Sequence, residues 1–151
     1  MRQWTADDFD ALSWHDVHVH GFRIESADQE TGTAELILDI DFLLEWRRVD
    51  DGSFEFDIAP ATLQFHDVFG LRFQLDFTNP GAGMGAFSIE RIEREQFEYP
   101  NGHTGWRWTL PINWPSGRIT FEASGFTQRL TRAPIVSQGL WLDDAQRHPA
   151  R

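Results

Sequence analysis

Between Ala34 and Phe42 the chain alternates. Ala34, Leu36, Leu38, Ile40 and Phe42 point one way, and Glu35, Ile37, Asp39 and Asp41 point the other. Period two over nine residues predicts a strand with one buried face. The other elements are read as packing around it. Residues 16–25 form a strand before it, joined through the polar connector 26–32 as a hairpin. After the connector 47–53, with Asp50-Asp51-Gly52, residues 54–66 form a strand whose apolar parity switches. Phe54, Phe56 and Ile58 share one side; Ala59, Ala61, Leu63 and Phe65 share the other. A one-residue slip flips every side chain, so a bulge or bend is expected at Ala59-Pro60, with Pro60 near a sheet edge. Asp67-Val68-Phe69-Gly70 then turns the chain into a half-buried strand, where Leu71, Phe73, Leu75 and Phe77 alternate with Arg72, Gln74 and Asp76.

Residues 79–85 read as a mobile loop. The alternate glycines Gly81, Gly83 and Gly85 do not make it a phosphate cradle, because it lies between two strands instead of between a strand and a helix. Residues 86–98 are ambiguous: Ile89 and Ile92 are three apart and the surrounding charges would suit an exposed helix, but a strand with an irregularity is preferred, because Pro100-Asn101-Gly102 and a strong strand over 105–112 follow. Ile119, Phe121 and Ala123 alternate in a last strand, bent at Gly125-Phe126. Near the start, residues 5–13 predict a short helix or turn, capped by Thr5, with Asp7 and Asp8 in its first turn. Leu140-Trp141-Leu142 is expected to pack back, and residues 143–151 to fray. The sum is a single domain over 1–151, mainly β, an antiparallel sandwich or barrel of seven or eight strands with a short N-terminal helix.

Composition sharpens this. Thirteen Phe and seven Trp favour pleated surfaces. Cysteine is absent, which removes disulfides, thiolate metal sites and cysteine nucleophiles. The N-terminus has no apolar stretch of signal-peptide length and no run approaches a membrane helix, so a soluble cytoplasmic protein is expected, without a membrane role. Net charge is −11, and it is uneven: residues 1–76 hold seventeen acidic and five basic side chains, the remainder seven and eight. Such a surface disfavours nucleic acid and leaves solubility or a basic protein partner.

Several motifs carry a resemblance: Trp14-His15-Asp16 with Val19-His20-Gly21, Leu38-Asp39-Ile40-Asp41-Phe42-Leu43-Leu44-Glu45-Trp46, Ala59-Pro60-Ala61-Thr62-Leu63 with Phe65 and Asp67-Val68, and Ile119-x-Phe121-x-Ala123-x-Gly125-Phe126-x-Gln128. Over residues 14–128 the chain resembles an uncharacterised family of small bacterial β proteins. Some relatives of this type look like immunity proteins, which neutralise a toxin by binding it. The resemblance implies a compact antiparallel protein and no catalytic residues.

Two clusters are candidate sites. His18 and His20, spaced to share a strand face, could hold Zn or Mn with carboxylates from Asp39 and Asp41. All four converge only if the strand is bulged near Gly21 or the register differs. Otherwise the histidines finish a strand end and bond locally. Trp106 and Trp108 share a face of another strand and form either an exposed strip for a partner or half of the core. His15-Asp16 and His66-Asp67 are read as turn chemistry, and no serine has an activating partner. The lead expectation is a non-enzymatic protein-binding module, immunity-like, whose Asp39, Asp41, Asp50 and Asp51 steer a basic partner. No cofactor is implied beyond a metal on the histidines. The alternative is a metal-dependent enzyme or small-ligand binder built on the cluster from His15 to His20. A self-associating protein is a third reading, and oligomeric state is left open.

Overall fold

The computed structural model describes residues 2–81 and 83–149. Ala82 of the 79–85 loop and the last two residues of the tail lie outside them. The described residues contain ten strands: β1 (Gln3–Thr5), β2 (Val17–Asp28), β3 (Thr33–Arg48), β4 (Phe54–Leu75), β5 (Phe87–Ile89), β6 (Glu93–Glu98), β7 (Thr104–Trp114), β8 (Gly117–Ala123), β9 (Gly125–Leu130) and β10 (Ile135–Ser137). A 3-10 helix, Ala6–Ala11, follows β1, and a one-turn helix, α1 (Asp144–Arg147), lies near the C-terminus. No helix among the described residues is long and apolar enough to cross a membrane.

All pairings are antiparallel, and six of them close a ring. β2 pairs β3, β3 pairs β4, β4 pairs β8, β8 pairs β7, β7 pairs β5, and β5 returns to β2. A closed ring of strands is a barrel, and it leaves few free edges. β9 and β1 extend the sheet from β4, β6 extends it from β7, and β10 lies beside Phe56–Ile58.

The barrel interior matches the alternation of β3: Leu36, Leu38, Ile40 and Phe42 are buried in the core with Ala59, Ala61, Leu63 and Phe65 of β4. Phe65 is its centre, with ring centroids 4.6 Å from Phe121, 5.2 Å from Trp108 and 5.9 Å from Phe126. Burying each such side chain contributes about 1.5–3 kcal/mol. The 3-10 helix closes one end. Thr5 caps it, Asp8 answers from N3, and Phe9 sits 5.8 Å from Trp108.

Three expectations are corrected. Residues 54–66 and 71–77 are not two strands about a turn. β4 runs straight on to Leu75, bending at Asp67 and Gly70, which have φ of +55° and +62°. Long-range pairing overrides the turn chemistry there: β9 lines β4 up to His66, and β8 takes over from Phe69. Nor does the parity switch at Ala59-Pro60 mark a bulge in β4, because the register slip lies across from it, in β3 between Leu43 and Glu45. Ile58 through Ala61 are all buried because the outer face of the sheet is covered too. Finally, the tail does not fray from Asp143. Asp143 caps α1 through a capping box, and Arg147 is buried.

The covering on the outer face is the segment after β9. Thr131 donates its N–H to the Pro60 carbonyl at 2.8 Å, where the neighbour of β4 changes from β9 to β10. Beyond β10 the chain crosses towards β3 and β2. Leu142 donates its N–H to Asp41 Oδ2 at 2.8 Å, and the Trp141 ring lies 5.1 Å from the His18 ring. Ile37, Ile58 and Leu142 are buried outside the barrel core. The strap explains why Ile37 and Asp41, on the mixed face of β3, are buried nonetheless.

Candidate functional site

His20, Asp39 and Asp41 of the cluster come together through Arg147, while His18 turns to the Asp16 carbonyl and the Trp141 ring. His18 pairs with Asp41 and Gly21 with Asp39, and the register slips between Val19 and Gly21, placing His20 in a bulge. His20 Nε2 donates to Asp41 Oδ2 at 2.6 Å. The centre of the cluster is a guanidinium: Arg147 bridges Asp41 and Asp39 through its two terminal nitrogens. Asp41 is fully buried and Arg147 is 4% exposed. No group of three or more His, Asp or Glu suited to a metal occurs among the described residues. Where the metal reading needs a cation between carboxylates, the chain supplies its own. Asp41 is therefore not available to steer a partner, and Asp39, 44% exposed, is already paired. His18 Nδ1 donates to the Asp16 carbonyl at 3.1 Å. Burial holds the His18 imidazole below its ordinary value, and the Asp16 carbonyl and Asp41 only partly offset it.

Trp106 and Trp108 do not form an exposed strip. Trp108 is fully buried and donates its indole N–H to the Ala123 carbonyl at 3.1 Å. Trp106 is half-buried beneath Arg94, whose guanidinium carbon lies 4.3 Å from its ring centroid. The strand's inward face points into the barrel, so both tryptophans serve the core.

His66 has partners that its sequence neighbours do not indicate. Its Nδ1 donates to Glu35 Oε1 at 2.6 Å, and the Thr127 hydroxyl lies 2.8 Å from Nε2. A hydroxyl, an imidazole and a carboxylate in that order resemble a nucleophile–base–orienter line. Neither His66 nor Thr127 lines any of four clefts in the surface. Glu35 also accepts from Gln64 Nε2 at 3.0 Å and from the Asp67 N–H at 2.8 Å. Burial raises the Glu35 carboxyl, but these hydrogen bonds outweigh it and hold the group below its ordinary value. The network clamps the bend of β4. Opposite it, Ser124, between β8 and β9, donates its hydroxyl to Asp67 Oδ2 at 2.8 Å.

Two exposed aromatic residues meet elsewhere. Trp46 is 66% exposed and Phe54 43% exposed, with ring centroids 5.4 Å apart near the turn of the β3–β4 hairpin. They line a cleft of about 630 Å³ with Leu43, Leu44, Phe56 and Leu140, and its polar wall includes Asp16 and Glu45. Trp141, 56% exposed, neighbours Leu140 in the chain. A larger, more polar dish of about 780 Å³ opens where β3, β4 and β7 meet. There Tyr99 donates to Glu122 Oε1 at 2.8 Å, and burial together with Glu122 pushes the phenol above its ordinary value. It presents a neutral phenol and no reactive pair.

Sequence reasoning missed Arg147, which no periodicity singles out in a polar tail. It also missed the cleft at Trp46. That one had a signal: two large aromatics flank a polar turn, where a hairpin tip offers them no core. Comparison with known proteins adds nothing to the geometry, since no family model, curated protein or solved structure matches the chain.

Proposed function

We propose that this protein is a non-enzymatic binding module whose partner is a protein, taken on the cleft around Trp46 and Phe54. The observation that carries the reading is the exposure of these two rings beside a mostly apolar cleft with carboxylates on its wall. Exposed large aromatics are the residue types that dominate binding energy at protein interfaces, and contiguous apolar surface is uncommon on a monomer without such a role. The acidic wall and the net charge of −11 favour a basic partner. An immunity-type protein, neutralising another by contact, acts in this way. The metal-dependent alternative on His18 and His20 has less support, because Arg147 fills the space between their carboxylates.

The test is gentle capture of the protein from its source cells, read by native mass spectrometry, with wild type and Trp46→Ala/Phe54→Ala side by side. Both side chains are exposed, so the variant should keep its near-ultraviolet dichroism apart from the lost indole. The expected outcome is one basic protein at fixed stoichiometry on the wild type, reduced at least about a hundredfold on the variant. Equal capture by both, or a bound metal in place of a protein, overturns the reading.

A further inference from the structure

β3 outruns its neighbour β2 towards Arg48. Its pairing with β2 begins at His18 opposite Asp41, so from Phe42 to Arg48 β3 has β4 on one side and no strand of the described residues on the other. The cause is local. At Asp16, with φ of +61°, the chain leaves the line of β2, and the Asp16 N–H is donated to the Ile89 carbonyl of β5 at 2.9 Å. The space left open is the cleft at Trp46. It touches Leu43, Leu44, Glu45 and Trp46 in succession. These four residues span the register slip between Leu43 and Glu45, and the cleft also takes in Phe54 and Phe56 of β4, so it wraps the end of the hairpin and reaches the free edge of β3. Its far wall is the departing segment Ser13, His15 and Asp16.

An open edge beside an apolar groove is the geometry of strand addition, in which main-chain hydrogen bonds supply affinity and side-chain pockets supply specificity. Charge selects the occupant. Asp16, beside His15, and Glu45 line the groove, and Asp50 and Asp51 are exposed at the hairpin tip. Of the two arginines on β3, Arg47 is paired with Glu55 and Asp57 and Arg48 is exposed at the strand's end, so carboxylates outnumber the free cations there. We infer that the edge of β3 from Phe42 to Arg48 receives an extended basic segment of a partner protein as an added antiparallel or parallel strand. This rests on the protein-binding reading and gives it a mode and a partner chemistry.

The probe is a seven-residue peptide of alternating Arg and Val, compared with its copy N-methylated at alternate amides and with an alternating Glu and Val peptide. Binding is read by Trp fluorescence and by hydrogen–deuterium exchange across the intact chain. The Arg–Val peptide should bind and slow exchange within residues 42–48. The N-methylated copy and the acidic peptide should not bind. Glu45→Lys, an exposed charge reversal, should weaken the basic peptide roughly tenfold and admit the acidic one. Strand addition is overturned if the Arg–Val peptide does not bind, if its N-methylated copy binds equally well, or if protection falls outside 42–48. A mass that rises with concentration and protects the same edge assigns it to a second copy of the chain, which also overturns a basic partner. The Trp46→Ala/Phe54→Ala capture decides the parent reading separately: a partner lost there without edge protection here keeps the aromatic surface and removes the added strand.

Discussion

Asp41 shows how one residue organises the outer face. It is fully buried and accepts from three directions: the Arg147 guanidinium, the Leu142 N–H and the His20 imidazole. Removing one partner of a buried pair leaves an uncompensated charge, which costs about 3–5 kcal/mol. Arg147→Ala should therefore lower stability by that order in urea unfolding followed by Trp fluorescence, while Arg147→Ala with Asp41→Asn should lose clearly less. A single-variant loss under about 1 kcal/mol would show the pair to be screened as a surface pair is. The two carboxylates were legible as a pair on one face of a strand. Their partner was not, because Arg147 reaches them across 106 and 108 positions with no pattern to announce it.

At the scale of elements, the barrel closes through the hairpin of β7 and β8, and one glycine governs how β8 meets β4. Gly117 pairs with Leu75 and has φ of +131°, and a Cβ there would lie 1.8 Å from the Gln74 carbonyl oxygen. Gly117→Ala should cost roughly 3 kcal/mol or more, since it combines a forbidden backbone region with a clash against main chain. Gly102→Ala, at φ of +86° with open space around it, should cost only about 1 kcal/mol when the two variants are compared in thermal melts. Equal losses would mean that the backbone angle and not the clash decides. Period two found β3, both ends of β4, β7 and β8, where one face meets the core. It failed where burial is two-sided, at Ile58 to Ala61, and where pairing carries a strand through residues that favour turns, at Asp67 to Gly70.

The whole molecule should respond to acid in two stages. His18 is held below its ordinary value in the fold, so below about 6.5 the unfolded chain binds more protons and stability falls as pH falls. Glu35, also held low, adds nothing in that window. Its contribution is present above its unfolded value of about 4.3 and is lost as pH drops through the lower folded value. Urea midpoints from pH 8 to 3 should therefore decline first for His18 and then for Glu35. In His18→Gln the first decline should shrink while the second remains. An unchanged first decline in that variant would place the titration on another group.

The ring of strands has one narrow link. β5 is three residues long, pairs with β2 over Val17–Val19, and meets β7 only at Ser88 and Ile89. A hoop under thermal strain parts at its shortest stave, so excursions from the native state should begin there as a local unzipping, with β3, β4 and β8 still joined. The protein then breathes like a clasp: the side that opens is opposite the long β4 spine, and closing it again needs only two short ladders to re-form.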